Sequence, residues 1–170
     1  MSSTMIEMKV SEIRVATDDT PPVVVLVEVG GEGRLLPIWM THGGASAILE
    51  VTEEPDDLRP SIHDLAAAVV ERLVSSEFIA ADIVNCDEGH FYATLVFADH
   101  SLPARASDAI ALAMRRGVPI RCRPELLAEW GVAAEAVVPS PPEPTEDEVE
   151  RFLEFLDSVT PDDFTGEDKP

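Results

Sequence analysis

The chain has 170 residues, 33 acidic and 12 basic side chains, a formal net charge of −21, and a 45% share of hydrophobic residues. That length suits one domain with an appendage, and the apolar share can form a core, which excludes a wholly disordered chain. The acidity argues against a broad electrostatic grip on nucleic acid, which relies on Lys and Arg displacing counterions, and no apolar run approaches the ~20 residues that span a bilayer.

The opening MSSTMIEMKV has no basic segment followed by an apolar stretch, so the expected location is the cytoplasm. Ile6, Met8 and Val10 alternate with polar residues as in a half-buried strand, and Ile13 and Val15 resume the pattern. TDDTPP turns the chain. The β-branched run VVVLVEV (23–29) is a second strand, GGEG (30–33) a hairpin turn, and residues 35–39 the returning third strand. A short helix is predicted over 41–51, with Gly43 and Gly44 weakening its first turn but permitting close approach of another backbone.

After the loop EEPDD, Ser61 with Asp64 three residues on marks a helix start, and Ile62, Leu65, Val69 and Leu73 are expected to face the core. Strands over 78–85 and 90–98, joined by CDEG, form another hairpin. A short strand over 102–106 leads to Ser107, read as the N-cap of a helix that stops at Gly117. Ile120 and Cys122 lie in a last strand, and Pro124 opens a helix ending near Gly131. Strands in hairpins with several short helices give an α+β fold for residues 1–138.

The prolines of PSPPEPT (139–145) mark a linker, since they lack the amide donors of helix and sheet. Charge divides unevenly there: 22 acidic and 10 basic residues precede residue 139, while 11 acidic and 2 basic follow it. The acidic tail, 146–170, has a capping box at Thr145 and Glu148. Val149, Phe152, Leu153, Leu156 and Val159 then recur at helical spacing, predicting an amphipathic helix of three to four turns before Pro161. Its stripe must be covered, by its own domain or by a second subunit or partner.

No P-loop, G-x-S-x-G elbow, H-E-x-x-H or dinucleotide fingerprint is present, and Cys86 and Cys122 form no C-x-x-C pair and read as reduced thiols. Two similar helix starts remain. Arg59 stands two residues before Ser61, and Arg105 two before Ser107, so each places a guanidinium near N–H groups at the positive end of a helix. Both could hold an anion; equally, the serines are ordinary caps and the arginines pair with nearby carboxylates. Among His42, His63, His90 and His100, His63 is the strongest candidate base, being in a first helical turn beside Asp64. Asp64, Asp82 and Asp108 are candidate cation ligands in a chain rich in acids.

The strings LPIWM (36–40), RPSIHDL (59–65), FYATL (91–95) and ARASDAIALAMRRGVPI (104–120) together resemble the bifunctional nuclease domain in order and spacing, over about residues 5–135. The segment FLEFLDSVTPDDF (152–164) is similar to one that often closes bacterial members. The resemblance implies a compact α+β domain and a nuclease acting on RNA and DNA, an activity that comes from a plant branch of the family. The family-like polar residues are Arg59, His63, Asp64, Arg105, Ser107 and Asp108; with Ser61 from the capping pattern, the expected catalytic residues are His63, Asp64, Arg105 and Asp108, and the expected substrate-binding residues Arg59, Ser61 and Ser107.

In that reading Arg59 and Arg105 hold the phosphate, His63 is the general base, and Asp64 and Asp108 recruit a divalent cation such as Mg²⁺, with no organic cofactor. Nucleic acid is the implied partner and the protein is expected to form homo-oligomers. Two departures stand out: Gly44 and Ala45 occupy the region of a usual Glu-Ala pair, and Ala106 replaces a proline before Ser107. The alternative is a non-catalytic, oligomeric binding or regulatory domain whose acidic tail docks on a partner.

Overall fold

The computed structural model describes residues 4–15, 20–52 and 58–134. They form one seven-stranded sheet with four α-helices, the expected α+β class. The strands are β1 (Ile6–Arg14), β2 (Val23–Glu28), β3 (Leu35–Trp39), β4 (Phe78–Asp87), β5 (His90–Phe97), β6 (Ser101–Arg105) and β7 (Ile120–Cys122). The helices are α1 (His42–Leu49), α2 (Ile62–Leu73), α3 (Ala106–Arg116) and α4 (Pro124–Trp130), with a 3-10 turn over Glu50–Thr52. Among the described residues no helix is long and apolar enough to cross a membrane. The linker predicted over 139–145 and the tail helix lie outside the described residues.

Sheet order is β3-β2-β1-β7-β4-β5-β6. Two antiparallel units, β1 to β3 and β4 to β6, are joined through short β7, which pairs antiparallel with β1 and parallel with β4. The parallel step requires a crossover, and α3 supplies it between β6 and β7. Gly117 ends α3 in the left-handed conformation, φ 63°, which lets Val118 turn directly into β7. α4 packs against both β3 and β4, four positions apart in the sheet, so the sheet curls around its contents.

The core lies between this curled sheet and α3. Val24, Leu26, Leu36, Ile38 and Ile83 meet Ala109, Ile110 and Ala113 there, all essentially solvent-free. α3 is alanine-rich where it faces inward, so its backbone comes close to the strands and to α1 and α2. β2 is buried on both faces: Val24 and Leu26 point into the main core, while Val23 and Val25 pack with Leu35 and Trp39 outside it. A uniform apolar run, without alternation, is what such a strand needs.

Two expectations fail. Ile62, Leu65, Val69 and Leu73 do not face the core; they are the exposed side of α2. The inward face is instead Ala66, Ala67, Val70 and Val74, packed on Phe78, Phe97 and Leu112. Small residues win this position because they let α2 lie close to α3. Ser107 is not an N-cap: the cap is Arg105, two residues earlier, whose side chain makes no capping bond to the backbone, and Ser107 is buried inside the first turn.

Candidate functional site

The two helix starts isolated in the sequence come together. His63, in the first turn of α2, places Nε2 3.0 Å from Asp108 Oδ1, in the first turn of α3. Arg105 grips the same carboxylate from the cap position, with Nε 2.6 Å from Oδ2 and a terminal nitrogen 3.0 Å from Oδ1. The side chains of His63, Asp108 and Arg105 are 19%, 32% and 71% exposed, so the group opens to solvent through Arg105. Burial pushes the Asp108 carboxyl upward, but hydrogen bonds and charge from Arg105 and His63 outweigh it and hold the group below the ordinary range. A carboxylate ionised in this way can orient the imidazole through its Nε2 edge.

Asp64 serves a different junction. Its Oδ2 accepts from the Ser61 hydroxyl at 2.7 Å and from the Ser61 amide at 3.2 Å, closing the capping box, while Oδ1 accepts from Arg115 Nε at 2.5 Å. Those contacts with Ser61 first, then Arg115, hold the Asp64 carboxyl below its usual value. Arg115 is half-buried as a residue, but its side chain is only 6% exposed. Nη1 donates to the Ala47 and Ala111 carbonyls, and Nη2 lies 3.9 Å from Glu50 Oε2 without a hydrogen-bond partner among the described residues. One guanidinium thus ties α1, α2 and α3 together, and the sequence held no sign of that role for Arg115.

Ser61 is the α2 cap and Arg59 is exposed two residues before it. Ser107 packs against α1 at Gly44: a Cβ there would stand 2.8 Å from Ser107 Cβ and 3.0 Å from its Oγ. Of the close approach expected at the two glycines, only Gly44 shows one, to the Ser107 side chain and not to a backbone, while a Cβ at Gly43 would meet nothing within 4 Å; any side chain at Gly44 would press α1 and α3 apart. Asp82 lies outside the group, bound by Arg121 through two contacts of 2.6 and 2.9 Å. His100 stacks on Phe97 at a strand end, with ring centroids 4.7 Å apart.

Among the described residues no three His, Cys, Asp or Glu side chains converge as a metal-ligand set. Asp64 and Asp108 each meet a guanidinium, which competes directly with a cation for their oxygens. Among the described residues, Asp64 and Asp108 thus do not make up an open donor set for the divalent ion expected from the sequence.

A model of the bifunctional nuclease domain matches residues 24–135. The chain belongs to the bifunctional nuclease domain family. The match takes in the His63, Asp108 and Arg105 group together with Arg115 and Gly44. Two uncharacterized proteins from two strains of Mycobacterium tuberculosis are each 40% identical to this chain over 161 residues, covering 93% of it and 97% of their own length. Their alignment extends beyond the end of the domain match and into the acidic tail.

Proposed function

We propose that this member of the family is a nuclease that hydrolyses phosphodiester bonds of RNA and DNA at the joined N-termini of α2 and α3. The observation that carries the reading is the His63 to Asp108 contact beside a largely exposed Arg105. In this reading a phosphate binds where Arg105 and the uncapped first amides of α3 offer positive charge, with Arg59 at the rim. His63, oriented by Asp108, takes the proton of the attacking water as its oxygen bonds to phosphorus. The scissile P–O bond breaks, the leaving oxygen takes a proton from solvent, and Arg105 offsets charge on the phosphoryl oxygens. Ser61 and Ser107 act through position, one capping α2 and the other seating α3 on α1. Asp64 likewise acts through Arg115, and no step is routed through a cation.

The test compares purified wild-type protein with His63→Ala and Asp108→Ala on RNA and on single-stranded DNA. The reading requires cleavage by the wild type and loss in both variants; equal cleavage by all three would assign the activity to a contaminant. Free Cys86 and Cys122 fit the reducing cytoplasm as its location.

A second reading, an oligomeric binding or regulatory domain, is favoured by one observation: the apolar side of α2 that is exposed among the described residues, beside the site. Sedimentation at several concentrations tests the oligomer, and a monomer throughout would remove it.

A further inference from the structure

Ile62, Leu65, Val69 and Leu73 follow one another on α2 at intervals of three and four residues and are 72%, 49%, 39% and 75% exposed. At about 100° per residue they fall within an arc of about 80°, an unbroken apolar stripe bordered by exposed Arg72. Such a stripe on a helix normally meets a second apolar surface. We propose that it is the docking surface for the chain's own acidic tail, residues 146–159, laid along α2 within the same molecule.

Length is the first support. The stripe extends from residue 62 to 73 and that of the predicted tail helix from 149 to 159, so each is about 15 Å long at ~1.5 Å per residue. Reach is the second: the structure describes the chain to Ala134, and the dozen residues before 146 span up to ~40 Å extended, about the diameter of a domain this size.

Charge is the third. Arg59 and Arg72 stand just before and on α2, Arg116 pairs with Glu71 of α2, and Arg105 and Arg115 reach it through Asp108 and Asp64. Three of these guanidinium groups are taken up by Asp108, Asp64 and Glu71, so the charge offered beside the stripe is that of exposed Arg59 and Arg72. The tail segment brings six acids against the single Arg151. This inference does not need the catalytic reading, since the stripe lies on the flank of α2 that adjoins its inward face and contains none of His63, Asp108 and Arg105.

The experiment uses the full-length chain with photoreactive p-benzoylphenylalanine at exposed Leu65, in a mixture of ¹⁴N- and ¹⁵N-labelled protein. Irradiation is expected to give an adduct at monomer mass, within one isotope, to the peptide containing Phe152 and Leu156. Phe152→Asp with Leu156→Asp should abolish that adduct and speed amide exchange over residues 62–73 while leaving β4 and β5 unchanged. An adduct between chains, an adduct elsewhere, no adduct, or unchanged exchange in the tail variant would each overturn the proposal. The cross-chain result would assign the stripe to a second copy instead.

Discussion

His63 Nε2 and Asp108 Oδ1 stand 3.0 Å apart although 45 residues separate them in the chain. The contact joins the first turns of two helices packed on one another, so it places an imidazole at the meeting point of two helix dipoles. Both capping arguments had pointed to these ends separately; only the packing of α2 on α3 makes them one site.

His63→Ala is therefore expected to lower kcat for RNA and DNA cleavage by about 10²-fold or more, the usual yield of a general base. Asp108→Asn should act through His63 by loosening the ring's orientation, lowering kcat less and leaving KM nearly unchanged. Steady-state kinetics on both substrates, with thermal melts showing that neither variant has unfolded, checks the pair. A fall in KM-dependent terms alone would make His63 a binding residue.

Arg105 should behave differently. Its side chain is 71% exposed, and exposed ion pairs contribute ~0.2–1 kcal/mol, so Arg105→Ala should leave Tm almost unchanged. Its loss is expected to weaken nucleic-acid binding and to reduce the slope of log K against log salt by about 1. Fluorescence anisotropy with a labelled oligonucleotide across a salt series reads both. An unchanged slope would mean that Arg105 touches no phosphate and only steadies Asp108.

Much of the architecture was legible because it rests on local rules. The hairpins at GGEG and CDEG, the Ser61 capping box and the Gly117 stop appear where turn and cap chemistry put them. The misreadings have physical causes. Periodicity identified α2 as amphipathic, but two apolar arcs share that helix, and the alanine-rich one faces α3, where closeness matters more than bulk. Ser107 looked like a cap from composition, yet burial against Gly44 decides its place, and that depends on α1, about 60 residues away. Arg115 drew no notice because a guanidinium bridging three helices leaves no local pattern at all.

Arg115 is predicted to matter for stability more than for chemistry. Arg115→Met removes the partner of Asp64 and the donors to the Ala47 and Ala111 carbonyls, and should cost about 2–3 kcal/mol, read as a lower denaturation midpoint. The same contacts give a pH dependence. Because Asp64 is held below its usual value, its contribution is complete above the unfolded carboxylate range near pH 4 and is lost as pH falls through the depressed folded value. Melting curves between pH 2 and 7 should show a steep acid limb in the wild type and a shallower one in Asp64→Asn. Parallel acid limbs would mean that other carboxylates govern acid unfolding.

The contact between Gly44 and Ser107 allows the sharpest packing test. A methyl group at residue 44 would meet Ser107 Cβ at 2.8 Å, a separation that Cβ atoms do not tolerate, and both partners are on helices whose backbones must move to relieve it. Gly44→Ala would gain ~1 kcal/mol from helix propensity at an unhindered site, so overpacking of ~1–3 kcal/mol has to be seen against that gain. The net expectation is destabilisation, together with displacement of the α3 N-terminus and hence of Asp108 from His63. Ser107→Gly introduced with Gly44→Ala removes the obstructing atoms. The double variant should recover more stability than the two single effects predict, a coupling measured by a double-mutant cycle in urea. Additive effects would show that α1 and α3 yield at this point, and that the seat of the site is softer than the 2.8 Å separation implies.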